Sequence, residues 1–138
     1  MNEGMNLQTF ESLPPKGVAS TLRPVQTKVV LVCGGRKYGN AKHLGSVLQA
    51  VGPTAVVHGG ASGADMLADG WARARGIPVV RVDALWDFYE DAAGGIRNGW
   101  MLDLVKVHLV VAFPGGDGTA DMVRRAKMRH IEVLRVEH

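Results

Sequence analysis

Three short stretches of this sequence carry residue types suited to holding an anion. They are Gly34-Gly35-Arg36 with Lys37, Tyr38 and Gly39 behind it, Gly59-Gly60-Ala61-Ser62-Gly63-Ala64-Asp65, and Pro114-Gly115-Gly116-Asp117-Gly118-Thr119. Glycine tolerates positive φ, so a turn can be tight and can aim successive N–H groups one way. It also lacks a Cβ, which lets a phosphate approach the backbone. Where such a turn leads into a helix, the free amides and the positive dipole end of that helix add to the attraction. Each charge–dipole contact is worth roughly 0.3–1 kcal/mol when exposed and up to ~2 kcal/mol when partly buried. Arg36 and Arg97 offer guanidinium forks that can meet a phosphate bidentately. One such loop is often only a tight connection, but three on one edge of a sheet point to a ligand. None ends in Gly-Lys-Ser/Thr and none is a full G-x-G-x-x-G, so P-loop ATP hydrolysis and simple hydride transfer are poor fits.

Other residues admit both a chemical and a structural reading. Asp65 stands three residues after Ser62, a capping-box spacing, or else reaches ribose hydroxyls. Asp121 falls in the first turn of a helix, where acids are favoured in any case. Ser62 and Thr119 read as helix N-caps that can also touch phosphate. Arg97 follows the Gly94-Gly95 turn at an expected helix start, where a cation opposes the dipole, and that misplacement points to function. His58 reads as a hydrogen-bonded structural histidine and Trp71 as core. Trp86 and Trp100 can wall a pocket and stack a base, or pack in the core. Cys33 closes an apolar run and reads as a buried structural thiol rather than a nucleophile. Arg124, Arg125, Lys127, Arg129 and His130 read as a solvated helix face.

These residues must be positioned by a repeating order of elements. β-branched apolar runs at 28–33, 55–58, 79–82, 109–113 and 132–136 predict five strands. Helical spacing predicts helices at 40–51, 64–75, 97–105 and 119–128, with Gly52-Pro53 and Gly76 followed by Pro78 as stop signals. Residues 85–90 read as one helical turn. Strands alternating with helices imply right-handed βαβ crossovers and a parallel sheet covered on both faces. The continuous apolar character of the strands agrees with two-sided burial. The expected fold is α/β: a Rossmann-like, doubly wound, mostly parallel sheet of about five strands with helices on both faces. The strand order expected by analogy is 3-2-1-4-5.

The bulk numbers fit this reading. The chain has 138 residues, enough for one domain and one core. It carries 18 glycines, far above the usual ~7%. A net charge of +3 suits an anionic small ligand and is weak support for nucleic acid. With one cysteine there is no disulfide framework and no cysteine cluster for zinc, and neither a metal nor a cofactor is expected. No apolar stretch approaches a membrane span, and residues 1–10 lack the basic and apolar regions of a secretory signal. The cytoplasm is the expected location. Residues 1–27, with Pro14, Pro15 and Pro24, read as an extension, flexible or loosely packed, before a nucleotide-binding domain at 28–138.

Four separated motifs resemble one family. Gly34-Gly35-Arg36, His58-Gly59-Gly60-Ala61-x-Gly63-Ala64-Asp65, Ala93-Gly94-Gly95-Ile96-Arg97-Asn98 with Met101, and Ala112-Phe113-Pro114-Gly115-Gly116-x-Gly118-Thr119-Ala120-Asp121-Met122 are similar to the YspA/cpYpsA-related branch of the SLOG superfamily. The resemblance implies a Rossmann-like fold and a nucleotide or nucleotide-derived ligand. The related lysine-decarboxylase-like LOG group hydrolyses the N-glycosidic bond of nucleoside 5′-monophosphates. The DprA group binds single-stranded DNA. Of the LOG pattern Arg-Lys-x-x-Met, this chain keeps Arg97 and Met101 and has Asn98 at the lysine position. Of Pro-Gly-Gly-x-Gly-Thr-x-x-Glu, it keeps Pro114 to Thr119 and has Met122 at the catalytic glutamate. Asp121 is one residue earlier, which turns its side chain by about 100° on a helix.

Three functions compete. The first is a binding or sensing domain that holds a phosphate-bearing nucleotide or derivative through Gly34, Gly35, Arg36, Gly59, Gly60, Ser62, Gly63, Asp65, Arg97, Asn98 and the loop from Pro114 to Thr119. The glutamate's absence favours it. The second is a nucleotide N-glycosidase with Arg97 and Asp121 as catalytic residues. There Arg36 or Arg97 holds phosphate, and Asp121 or Asp65 positions water or ribose. The third is a DprA-like single-stranded nucleic-acid binder, disfavoured by an aromatic content of 6%. The expected partner is a nucleotide-derived small molecule, without nucleic acid or membrane. A homo-oligomer is an analogy from the fold alone.

Overall fold

The computed structural model describes residues 26–84 and 92–138. The expectations for residues 1–25, for the turn at 85–90 and for Trp86 lie outside the described residues. In chain order the elements are β1 (Val29–Cys33), α1 (Ala41–Val51), β2 (Ala55–His58), α2 (Ala64–Ala74), β3 (Val79–Arg81), α3 (Ala93–Leu104), β4 (Leu109–Ala112), α4 (Asp117–Met128) and β5 (Glu132–Arg135). The five strands form one sheet in the order β3-β2-β1-β4-β5, as expected, and every pairing is parallel. Leu31 at its centre pairs with Val57 on one side and Val110 on the other.

Two-sided burial follows from the alternation of side chains along each strand. Val30, Val32, Val56, Val111 and Phe113 join Leu44 and Leu48 of α1 and Ala64, Ala68 and Ala72 of α2 in one cluster. Leu31, Cys33, Val57, Val110 and Ala112 join Met101 and Leu102 of α3 and Met122, Val123 and Ala126 of α4 in the other. The Ala64, Ala68 and Ala72 row is fully buried and brings α2 close to the sheet. Trp71 of α2 is half-buried against the first cluster and packs over Gly45 of α1. No helix among the described residues is long and apolar enough to cross a membrane.

The helix ends differ from the sequence reading in ways that matter for the site. Asn40 caps α1 by accepting from His43, and Gly52 ends it at φ +69°. α3 starts at Ala93, so Gly94 and Gly95 are helical and Arg97 stands in the second turn rather than at the start. α4 starts at Asp117, so Asp117, Gly118 and Thr119 belong to the helix and only the four residues 113–116 connect it to β4. Neither Ser62 nor Thr119 is an N-cap. Gly63 and Gly116 hold those positions, without a side-chain cap. The Ser62 hydroxyl is instead spent on the Arg36 carbonyl, and Thr119 lies inside the first turn of α4.

Glycine is required where the loops touch. Gly63 sits at φ +81°, and a Cβ there would overlap the Gly35 carbonyl oxygen. Gly116 lies at φ −102°, and a Cβ there would meet nothing within 4 Å. Gly63→Ala therefore combines backbone strain with a steric clash and is expected to cost about 2–4 kcal/mol. Gly116→Ala is expected to stay within about 0.5 kcal/mol of the parent. Urea unfolding of the two variants checks the contrast, and equal costs would show that the loop contact does not constrain Gly63.

Candidate functional site

The sheet order reverses at β1 and β4, whose adjacent carboxyl ends are the place where open α/β sheets bind ligands. The first and third loops meet there. Gly35 N–H donates to the Pro114 carbonyl at 2.8 Å. The Gly35 carbonyl accepts from Tyr38 N–H at 3.1 Å and from Ala64 N–H, at the head of α2, at 3.2 Å. The Ser62 hydroxyl donates to the Arg36 carbonyl at 3.2 Å. A Cβ on Gly34 would lie 2.6 Å from the Ala64 Cβ. These glycines let three turns touch, so their first service is to packing.

In the second loop three amides, those of Gly59, Gly60 and Ala61, are taken up by side chains. Gly59 and Ala61 donate to Asp65 Oδ2 at 3.0 and 3.3 Å. Gly60, at φ +75°, donates to His58 Nδ1 at 2.9 Å. With Nδ1 accepting, the His58 proton resides on Nε2, which donates to Asp69 Oδ2 at 2.7 Å. Asp69 also accepts from Arg73 Nε at 2.6 Å. Burial alone would raise the Asp69 pKa, but the Arg73 and His58 hydrogen bonds outweigh it and hold the carboxyl below its ordinary range. His58 is fully buried and serves the loop's structure.

A cavity of about 750 Å³ opens beside this junction. Its wall includes Gly34, Gly35, Arg36, Asp65, Arg97, Asn98, Gly116, Asp117, Gly118, Thr119 and Asp121, which the sequence singles out. Gly59, Gly60 and Ser62 line a second cavity of about 470 Å³, which shares Arg36, Ala61 and Arg97 with the first. Pro114 and Gly115 lie instead on a smaller hollow of about 250 Å³ with Phe113 and Val136. Gly63 packs on Gly35 and Arg36.

A chain of polar side chains spans the main cavity. Arg97 Nη1 donates to the carbonyls of Gly59 at 2.7 Å and Val82 at 3.4 Å. Arg97 Nε donates to Asn98 Oδ1 at 3.1 Å. Asn98 Nδ2 donates to Asp121 Oδ2 at 2.9 Å and to the Gly118 carbonyl at 3.3 Å. Asp121 is also paired with Arg125 at 2.9 Å and with Arg124. The Nη2 donors of Arg97 and the whole Arg36 guanidinium have no acceptor among the described residues. At the start of α4, the uncapped first-turn amides lack intrahelical acceptors.

Of the three carboxylates lining the cavity, Asp121 and Asp65 are shifted in opposite directions. Burial raises the Asp121 pKa, but Asn98, Arg125 and Arg124 outweigh that and leave it below the ordinary range. Asp121 is thus an ionised partner of arginines at neutral pH. Asp65 is the reverse: burial dominates and raises its pKa despite the amides of Ala61 and Gly59 and the nearby Arg97. Burial also lowers the Arg97 pKa. Cys33 lines the same cavity, and burial with the Asp65 charge pushes its thiol up to about 12.

Sequence reasoning missed Arg125, which it placed on a solvated face. Arg125 is half-buried, lines the cavity and lies against Gly95 and Gly99 of α3. The Asp121-x-x-x-Arg125 spacing was the available signal. It also missed Asp69, whose i,i+4 partner Arg73 was visible in the same way. Trp100 is half-buried and is not in the cavity wall.

Comparison with known proteins gives two findings. The sequence profile of the YspA, cpYpsA-related SLOG family matches residues 28–89, a span that holds the first and second loops. The Gene 61 protein of Mycobacterium phage D29 is 38% identical over 90 residues, covering 57% of this chain and 68% of that protein.

The Asp65 environment makes a stability prediction. Its folded pKa is raised above the unfolded value, so ionisation at neutral pH costs the fold stability that the protonated form keeps. Asp65→Asn retains an acceptor for Gly59 and Ala61 and removes that charge. The variant is expected to melt no lower than the parent at pH 7, with any gain vanishing as the pH falls below the ordinary carboxylate range. A fall of about 5 °C, on the order of 1 kcal/mol for such a domain, would mean that the charge itself holds the loop.

Proposed function

Because the chain belongs to the YspA, cpYpsA-related SLOG family, we propose that it binds a phosphate-bearing nucleotide or nucleotide derivative in the cavity at the β1–β4 edge, as a binding or sensing domain. The observation that carries this reading is a set of unsatisfied donors around one space. Arg36, the Nη2 group of Arg97 and the first turn of α4 all border the same cavity. A volume of about 750 Å³ falls within the ~300–1,000 Å³ usual for small-molecule sites. Guanidinium groups supply charge-assisted hydrogen bonds, and the helix start adds its dipole. Asp121, tied to three side chains, acts here by holding Asn98 and Arg125 in place.

One observation favours a catalytic second reading. Asp65 is a buried carboxyl with a raised pKa beside a cation, the arrangement by which active sites tune acids and bases. In N-glycosidic cleavage, water would bond to C1′ while the base leaves with the bonding electrons and takes up a proton. Asp65, rather than the ion-paired Asp121, is then the carboxyl able to manage that proton.

Thermal shift and calorimetry with nucleoside 5′-monophosphates test binding, and mass spectrometry of the same mixtures looks for free base. At least one nucleotide is expected to raise the melting temperature, by about 2.7 kcal/mol of stabilisation at a hundredfold excess over Kd. Arg36→Ala is expected to weaken that nucleotide about tenfold, or ~1.4 kcal/mol. It should leave the free protein's melting temperature unchanged, because the exposed Arg36 guanidinium holds no group among the described residues. Absence of any shift across the panel would overturn the reading. Release of free base would decide for catalysis.

A further inference from the structure

Asp65 has a feature that phosphate binding does not use. It is only 6% exposed, on the first turn of α2, and lines the main cavity. Both of its hydrogen bonds, from Gly59 and Ala61, go to Oδ2. Among the described residues Oδ1 has no partner. It is not sealed in either, since Trp71 Nε1 is the one partnerless side-chain polar atom fully closed off there. Oδ1 therefore opens on the cavity. Asp65 and Arg97 sense each other's charge but form no ion pair.

A carboxylate oxygen only accepts hydrogen bonds. It shares the wall with the donors Arg36, Arg97, Arg125 and the α4 start, and with two further carboxylates, Asp117 and Asp121, of which Asp121 is already ion-paired. A ligand that fills this space must bring an anion for the donors and a neutral donor for Oδ1. In a phosphate-bearing nucleotide the donor nearest the phosphate is a sugar hydroxyl, and Asp65 stands within electrostatic range of Arg97, a phosphate-holding residue. Resting on the phosphate-binding reading, we propose that Asp65 Oδ1 selects ribose over deoxyribose by accepting from the sugar's vicinal diol. Burial raises the Asp65 pKa in spite of the two backbone amides on Oδ2, and ligand hydroxyls would add donors at Oδ1. Removing one hydroxyl would leave a buried acceptor unpaired, the situation in which polar sites discriminate most strongly.

The test uses the full chain and four probes: ribose 5-phosphate, 2-deoxyribose 5-phosphate, adenosine 5′-monophosphate and 2′-deoxyadenosine 5′-monophosphate. Within a pair the phosphate is constant, and the sugar phosphates need no particular base. Calorimetry on the wild-type protein is expected to show the ribose form binding at least tenfold more tightly. Asp65→Asn, which puts an amide N–H₂ where Oδ1 was, is expected to weaken the ribose form and bring each pair within threefold. Equal binding of a pair by the wild-type protein overturns ribose selection and leaves phosphate binding standing, as does a preference that survives in Asp65→Asn. Failure of all four to bind overturns both. Should Asp65→Asn fail to fold, the wild-type comparison alone decides.

Discussion

Gly35 gives its amide to Pro114 and its carbonyl to Ala64 and Tyr38, so the turn after β1 is tied to the turn after β4 and to the head of α2. A parallel sheet delivers all strand ends to one edge, but it does not make the loops touch. Touching requires that Gly34, Gly35, Gly63 and Gly115 have no side chain, since a Cβ at any of them would press on a neighbouring loop, strand end or helix. The α4 start and the Arg36 carbonyl inherit their positions from this knot. Glycine at this edge is there first for protein–protein contact within the fold, and anion access is what remains after that contact is made.

The charges around the cavity divide into those already answered and those still open. Asp121 is answered by Asn98, Arg124 and Arg125, and Asp69 by His58 and Arg73. Arg97 is answered on two of its nitrogens by Gly59, Val82 and Asn98. Desolvating polar groups is tolerable when each is paired, and costly when one is not. Among the described residues the groups without a partner, the exposed Arg36 guanidinium and the more buried Arg97 Nη2 and Asp65 Oδ1, lie around one hollow. Such a remainder marks a site more surely than any single residue type does.

The fold was legible because its signals were redundant. The five strands and inward residues such as Leu44, Leu48, Met122 and Ala126 followed from apolar period and stop residues, while the 3-2-1-4-5 order came by analogy with doubly wound sheets. The site was legible as a neighbourhood but not as an assignment of roles. Sequence spacing suggested Ser62 and Thr119 as caps, yet Ser62 bonds the Arg36 carbonyl and Gly63 and Gly116 stand at the caps. Asp65 read as a capping-box acid, yet it holds Gly59 and Ala61. The Ser62 contact joins segments 26 residues apart, and the Asp65 contacts depend on the turn that folds 59–61 back over the helix start; local periodicity encodes neither. Arg125 was hidden for the same reason: its role depends on the glycine face of α3 that it packs against.

Cys33, the chain's sole sulfhydryl, ends β1 at the floor of the cavity, with its pKa pushed to about 12. At neutral pH it is almost entirely S–H, and the thiolate that alkylating agents and oxidants need is scarce. The native protein is thus chemically quiet toward electrophiles at the point where a ligand would enter. Once β1 detaches, the same sulfur regains an ordinary acidity. Labelling at position 33 would then count openings of the central strand, a clock for breathing of the sheet that the sequence supplies without engineering.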